Sequence, residues 1–210
     1  MIGYVTNNQI LCENCYKYFV AYKNICSQID ADDPMIRANL TFDDALNRLT
    51  CPFCKKEFTY ETDLLIHSFK DKFAIYSSCT KVFAHVTNFK VAAKICGISD
   101  WDFRLCTYSY EAYEKLRIFT CGLDDAKITA LKLKAFPKYK DMNIKAEYIS
   151  FESADDTNLH FTHRDFTGKI IYKYSLHKSE YDAMPDLAAE KGNWITLDKT
   201  WAIKRLEEIK

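Results

Sequence analysis

The sequence lacks an excess of either charge: 29 basic side chains stand against 29 acidic ones, a formal net charge of zero with the five histidines neutral. A chain whose main task is to hold a long polyanion or an anionic membrane surface usually carries a basic surplus, so the balance argues against both and leaves room only for a local patch. It also lacks any apolar run near the roughly 20 residues needed to span a bilayer, and Met1 to Gln9 contain no basic residue of the kind that opens a secretory leader. No low-complexity linker and no internal repeat is visible, which excludes solenoid and tail-like readings. Gly-rich phosphate loops, nucleophile elbows and the HExxH pattern are missing too, and with them the most readable enzyme signatures. A soluble, cytoplasmic protein without a membrane partner is expected.

What the sequence does hold is core-forming material and thiols. Of 210 residues 48% are hydrophobic and 15% aromatic, enough for one large domain or two small ones and too much for a disordered chain. Nine cysteines cannot all pair within one chain, so a disulfide-stapled secreted fold is disfavoured and a reducing compartment fits better. Charge does not divide the chain, because residues 1–80 carry 8 basic and 10 acidic side chains and the rest carry 21 and 19. Cysteine does: Cys12, Cys15, Cys26, Cys51, Cys54 and Cys79 precede a change in hydrophobic period at Thr80. This sets an expected boundary between a β-rich module over 1–79 and an α+β domain over 80–210.

Within the first module Phe19 to Tyr22, Glu57 to Ile66 and Lys72 to Tyr76 read as strands, the last at an edge or in a meander. Asp33 followed by Pro34 predicts a short helix to Leu40, and Thr41 with Asp44 a further turn. Val82, Phe83, Val86, Phe89, Ala93 and Cys96 share one face of a helix that Gly97 stops. Phe103 to Tyr108 reads as a strand. Ser109 and Asp124 cap two helices that end at Gly122 and before Pro137, with Ala112, Leu116 and Phe119 facing Ile128, Leu131 and Ala135. Alternation at Ile144 to Tyr148, at Leu159 and Phe161, and from Ile170 to Leu176 after a Gly168 turn predicts a three-stranded antiparallel meander. Two helices finish the chain, over Glu180 to Lys191 and after Asp198.

The residues that carry chemistry are two C-x-x-C pairs, Cys12 with Cys15 and Cys51 with Cys54. Each pair suits a tight turn that aims two thiolates at one point, and two such turns complete a tetrahedron around Zn²⁺. A redox pair is the weaker reading, because neither motif follows a strand of a βαβ unit. Four protein ligands leave no open coordination position, so one structural zinc per chain is expected and no catalytic one. Cys26, Cys79, Cys96, Cys106 and Cys121 lie in apolar-patterned stretches and read as buried free thiols.

The string Cys51, Pro52, Phe53, Cys54 resembles the CpXC family, a bacterial and archaeal group named for paired Cys-Pro-x-Cys motifs. The likeness extends to the turn at Asp32, Asp33 and Pro34, to Leu46 and Asn47, and to Leu65, Ile66 and His67 with the Lys72 to Ile75 strand. It covers about residues 10–79, and Leu116 to Asp125, with Gly122, Leu123, Asp124 and Asp125, resembles the longer members. In the first pair Glu13 stands where the family has proline. Tyr16 and Lys55 follow the pairs where zinc knuckles often place glycine. The resemblance implies a zinc-ribbon-like fold and carries no enzymatic activity.

Weaker features have plainer explanations. His160 and His163, three apart on a strand, point to opposite faces unless the strand is bulged. His67 is either a loop residue or a donor that orients a cysteine ligand. Asp124 and Asp125 read as a helix cap before an acid/base pair, and Asp155 and Asp156 as turn residues. Lys127, Lys132, Lys134, Lys138 and Lys140 form the one basic run; helical spacing spreads them around an axis as a solvated face, while a nucleic-acid surface is the sharper alternative. The sequence therefore points to an α+β zinc-binding protein that contacts a protein partner. Nucleic-acid binding, or an enzyme site around Asp124, Asp125 or His163, stand as alternatives.

Overall fold

A computed structural model describes residues 9–21, 28–35, 47–60, 62–78, 98, 100–135, 149–164, 170–187 and 189–209. Among these the first part of the chain forms strands β1 (Gln9–Leu11), β2 (Tyr18–Val20), β3 (Gln28–Asp30), β4 (Arg48–Thr50), β5 (Glu57–Thr59), β6 (Leu64–Ser68) and β7 (Phe73–Ser77). There follow β8 (Asp102–Cys106), α1 (Ser109–Thr120), α2 (Asp125–Ala135), β9 (Ile149–Ala154), β10 (Asn158–Arg164), β11 (Ile170–His177), α3 (Lys178–Asp182), β12 (Trp194–Ile195) and α4 (Lys199–Glu208). The helix expected beyond Met35, the Thr41 turn, the Val82 to Cys96 helix, the Ile144 to Tyr148 strand and the Gly168 turn lie outside the described residues.

The architecture is α+β: a cysteine-bearing pair of hairpins, a mixed sheet under helices, and a small antiparallel sheet. β1 pairs with β2, and β4 with β5, as separate antiparallel hairpins. The central sheet runs β12-β8-β7-β6-β3, with β6 and β7 antiparallel and the other neighbours parallel. Strands on either side of residue 79 thus hydrogen-bond within one sheet. The expected Glu57 to Ile66 strand is two strands in different sheets, β5 and β6. The Lys72 to Tyr76 strand is interior, flanked by β6 and β8, and both faces of the sheet are covered there, which explains its unbroken buried run Phe73, Ala74 and Ile75.

One face of this sheet, through Ile29, Ile66, Ile75 and Cys106, receives Ala112, Tyr113 and Leu116 of α1. The opposite face gathers Ala74, Phe103, Trp101 and Trp194. α1 starts after Tyr108, and the Glu111 carboxylate accepts from the Thr107 and Tyr108 N–H groups at 2.8 and 3.2 Å, satisfying donors that an α-helix leaves free. It stops at Gly122, whose φ of 68° reverses the chain while Gly122 and Leu123 N–H donate to Phe119 and Ile118 carbonyls. Asp124 then accepts from the Ala126 N–H at 2.8 Å and caps α2.

The second core lies between α2, α4 and the β9-β10-β11 meander, where Ile128, Leu131, Phe151, Leu159, Phe161 and Ala202 are fully buried or nearly so. Asp198 accepts from the Trp201 N–H and caps α4, as its position in the sequence predicts. The expected Glu180 to Lys191 helix is only α3: Pro185 restrains the residue before it and cannot donate to a helical ladder.

Candidate metal centre

The four motif cysteines meet where the two hairpins abut. Cys12 follows β1 and Cys51 follows β4, both buried, while Cys15 and Cys54 sit half-buried in the turns that follow. Each turn is tied twice. Tyr16 N–H donates to the Cys12 carbonyl at 2.7 Å and Cys12 N–H to the Lys17 carbonyl at 3.0 Å; Lys55 N–H donates to Cys51 at 3.0 Å and Cys51 N–H to Lys56 at 2.9 Å. Closing such a turn requires left-handed backbone, and Tyr16 at φ 56° and Lys55 at φ 63° adopt it without being glycine.

This correspondence is general. Residues 9–21 and 48–60 align at a constant offset of 39, so Ile10 matches Leu49, Phe19 matches Phe58, and each cysteine matches a cysteine. Ile10 and Leu49 are buried together, and the Phe19 and Phe58 rings meet edge to face with centroids 6.2 Å apart. A short structural duplication exists where the sequence reveals no repeat. Only four of the thirteen aligned positions are identical, Cys12, Cys15, Lys17 and Phe19 with their partners, too few to stand out in one chain.

The sulfurs form a compact set. Cys12 and Cys54 Sγ are 3.6 Å apart, Cys15 and Cys51 Sγ 3.7 Å, and all four lie within 4.8 Å of one another. A tetrahedral metal bound about 2.3 Å from each sulfur requires edges of about 3.8 Å. The four sulfurs can therefore hold a metal ion. Their protonation is uneven. The Lys56 backbone N–H, with the Asn14 side-chain amide 3.5 Å away, draws the Cys54 thiol down to about 6. Burial pushes the Cys51 thiol up, but the Cys54 and Phe53 amides outweigh it and lower it overall. Burial, reinforced by the neighbouring thiols, pushes Cys15 up to about 12. Thiols this close cannot all ionise unless a cation sits among them. Among the described residues no other group of three or more His, Cys, Asp or Glu side chains is gathered to hold an ion.

The remaining candidates fall elsewhere. His67 lies on β6 with Nε2 3.0 Å from the Gln28 amide nitrogen and Nδ1 4.0 Å from Asp30, in the central sheet. His160 is held between Asp155 at 2.7 Å and Ser175 at 2.9 Å. The strand is bulged beside it, yet His163 stacks on Tyr172 instead of joining it. Of the basic run, Lys127 lies over the Tyr181 ring and Lys134 is exposed. Lys132 is buried, its ammonium 2.8 Å from Glu114 and 3.0 Å from the Ile149 carbonyl, so it faces inward and not toward a ligand. Lys138 and Lys140 lie outside the described residues, as do Cys26, Cys79 and Cys96. Cys106 is buried as expected, with its thiol pushed up by burial; Cys121 is exposed, because it forms the end of α1 beside Gly122.

The residues that pattern reading missed are buried ions. Arg104 on β8 grips Asp125 at the start of α2 with two bonds of 2.8 and 2.9 Å, and Lys115 of α1 reaches the same carboxylate at 3.0 Å. Burial pushes Asp125 up, but Lys115 and Arg104 prevail and hold it down at about 2. Asp124 caps, whereas Asp125 is the anion at which the sheet and both helices meet. Alternation does place Arg104 on the inward face of β8 with Cys106, which is the one sequence signal for it.

No curated protein and no solved structure matches the chain. The family model described as CpXC protein matches residues 10–132, more than half of the sequence. That span takes in both hairpins, the cysteine cluster, β3 to β8, α1 and most of α2, and ends at Lys132 before the meander. With its paired cysteine turns and the sheet that follows them, this chain belongs to the CpXC family.

Proposed function

We propose that the protein is a binding or scaffolding module in which one Zn²⁺, held by Cys12, Cys15, Cys51 and Cys54, fixes two hairpins as a protein-contact surface. The observation that carries this reading is the closed four-sulfur set where two short hairpins meet. The two hairpins have three-residue strands and share one small cluster of apolar residues, too little to hold them folded, so the metal supplies the missing stability. Zinc fits best because it accepts four thiolates in a tetrahedron without redox chemistry, and four protein ligands leave it no position for an activated water. The module acts by recognition instead of turnover. No described helix is long and apolar enough to cross a membrane. Free thiols throughout the described residues favour the cytoplasm as the compartment.

The test is Cys51→Ser. Wild type purified without chelator should carry one zinc per chain, and the variant none, with loss of the ordered hairpins in amide hydrogen exchange. Structural zinc in small peptides binds with about 10–16 kcal/mol, more than the stability of most domains, so one missing ligand should suffice. Less than one zinc per wild-type chain, or unchanged hairpin protection in the variant, would overturn the reading.

A further inference from the structure

The duplicated hairpins act as controls for each other, since both meet the same structural demands. Their inward residues agree, Ile10 with Leu49 and Phe19 with Phe58. Their outward residues do not. Register pairs Gln9 with Val20 and Leu11 with Tyr18 on the solvent face of β1 and β2, and there Leu11 is 39%, Tyr18 64% and Val20 37% exposed. On the matching face of the second hairpin stand Arg48, Thr50 and Glu57, all exposed and polar. Nothing in the ribbon geometry requires apolar side chains at these places, because the second copy does without them. At the turns, Tyr16 is 77% and Phe53 54% exposed, with the Lys17 ammonium 5.1 Å from the Phe53 ring centre. Leu11 also lines a groove of about 530 Å³ with Phe58, Tyr60, Glu13 and Lys56, which reaches Cys12 and Asn14 at the cysteine turn. That volume lies in the range small ligands and peptide side chains fill.

We propose that the outward face of β1 and β2, with the groove beside it, docks a segment of another protein that carries apolar side chains among acidic ones; this rests on the binding-module reading above. Apolar exposure calls for an apolar occupant. Tyr18 is the single ring on this face and stands among aliphatic Leu11 and Val20, so no run of rings is offered on which successive bases could stack, and Tyr16 and Phe53 lie apart at the turns. The exposed charges of the two cysteine turns, at the end of the ribbon where Leu11 and Tyr18 stand, are Lys17, Lys55 and Lys56 against Glu13, so that rim is basic and complements an acidic segment. The negative charge of a metal-thiolate cluster sits on sulfurs that are buried or half-buried behind that rim. A second copy of the chain would bring this basic rim against itself in any two-fold arrangement and is the poorer match.

The test transplants the second hairpin's face onto the first with the triple variant Leu11→Thr, Tyr18→Glu, Val20→Thr. Each residue introduced already stands at the equivalent position of the other hairpin, so fold and metal content should be unchanged. Zinc-loaded wild type is used to select from a phage-displayed library of random dodecapeptides, and selected peptides are titrated by fluorescence anisotropy against wild type and variant at two salt concentrations. Enriched sequences should be acidic and apolar, bind at least tenfold more weakly to the triple variant, and weaken with salt. Enrichment of basic or chargeless peptides, affinity unchanged in the variant, no enrichment at all, tighter binding of a dT20 oligonucleotide, or self-association that the variant abolishes would each overturn the proposal. If peptides bind but ignore the triple variant while Cys51→Ser destroys their site, only the face is wrong. If they bind equally well to metal-free Cys51→Ser, the binding-module reading fails as well.

Discussion

Replacing Asp125 with asparagine keeps the side chain's shape and removes its charge, and the structure sets the size of the effect. Its carboxylate is 1% exposed and serves two cations, Arg104 at 2.8 and 2.9 Å and Lys115 at 3.0 Å. After the change the carboxamide oxygen still accepts but carries no charge, so the one anion left to Arg104 is the partly exposed Asp102, and Lys115 keeps the Leu197 carbonyl at 3.4 Å. Breaking a buried pair by removing one partner costs about 3–5 kcal/mol, and stranding two buried cations places this variant at the upper end. Against a domain stability of about 5–15 kcal/mol the loss should be plain in guanidinium unfolding followed by tryptophan fluorescence. The pH dependence is a second readout. Asp125 is held at about 2, below its unfolded value, so its stabilisation is complete above about pH 4 and is lost as pH falls toward 2. That share amounts to about 2–3 kcal/mol, and the stability of Asp125→Asn should be correspondingly flatter across this window. A loss below 1 kcal/mol, or an unchanged slope between pH 4 and 2, would refute the assignment. Replacing Arg104, Asp125 and Lys115 together by Met, Leu and Met should recover most of the loss, because no charge then remains to be desolvated.

Two further outcomes follow from the same geometry. Lys55→Gly relieves a left-handed backbone that disfavours a side chain by about 1–2 kcal/mol, so the metal-loaded protein should gain up to about 1 kcal/mol and a higher Tm; a loss would mean the lysine stem contributes packing that outweighs its strain. Lys132→Glu opposes Glu114 in a buried position and should destabilise by at least 3 kcal/mol, while the exposed Lys134→Glu should stay within about 0.5 kcal/mol in the same unfolding assay; equal effects would show that Lys132 is not held inward.

The parts legible in the sequence were those that local chemistry dictates. Cysteine spacing gave the cluster, because a C-x-x-C pair suits a tight turn that aims both thiols at one point. The caps at Asp124 and Asp198 and the Gly122 reversal set helix ends for the same local reason. Long-range pairing was not legible. The period of β7 and β8 is that of any strand, and only the sheet shows that they lie side by side and parallel, with 24 residues between Ser77 and Asp102. The orientation of charged residues was hidden for a different reason: a lysine in a helix reads as surface unless its partner is known, and the partner of Lys132 lies 18 residues away on another helix.

Those inward charges also explain how the meander, outside the family match, is joined to the rest. A short antiparallel sheet leaves an edge strand with unpaired backbone groups, which must be covered or exposed to wrong partners. β9 is such an edge, and Phe151 on it donates its N–H to Glu114 at 2.7 Å and accepts from Arg117 Nε at 3.0 Å, two residues one turn apart on α1. Lys132 on α2 binds both Glu114 and the Ile149 carbonyl of the same strand. Helices within the family span thus supply the hydrogen-bond partners that a neighbouring strand would have supplied. Lys115 reaches past Asp125 to the Leu197 carbonyl, just before α4. Charged side chains therefore do two jobs with two sets of residues that share the same helices: Asp125 with Arg104 and Lys115 draws β8, α1 and α2 together, and Glu114, Arg117 and Lys132 close the edge of the meander. A pattern that counts charges as surface sees neither job, since each is visible only when both partners are in place.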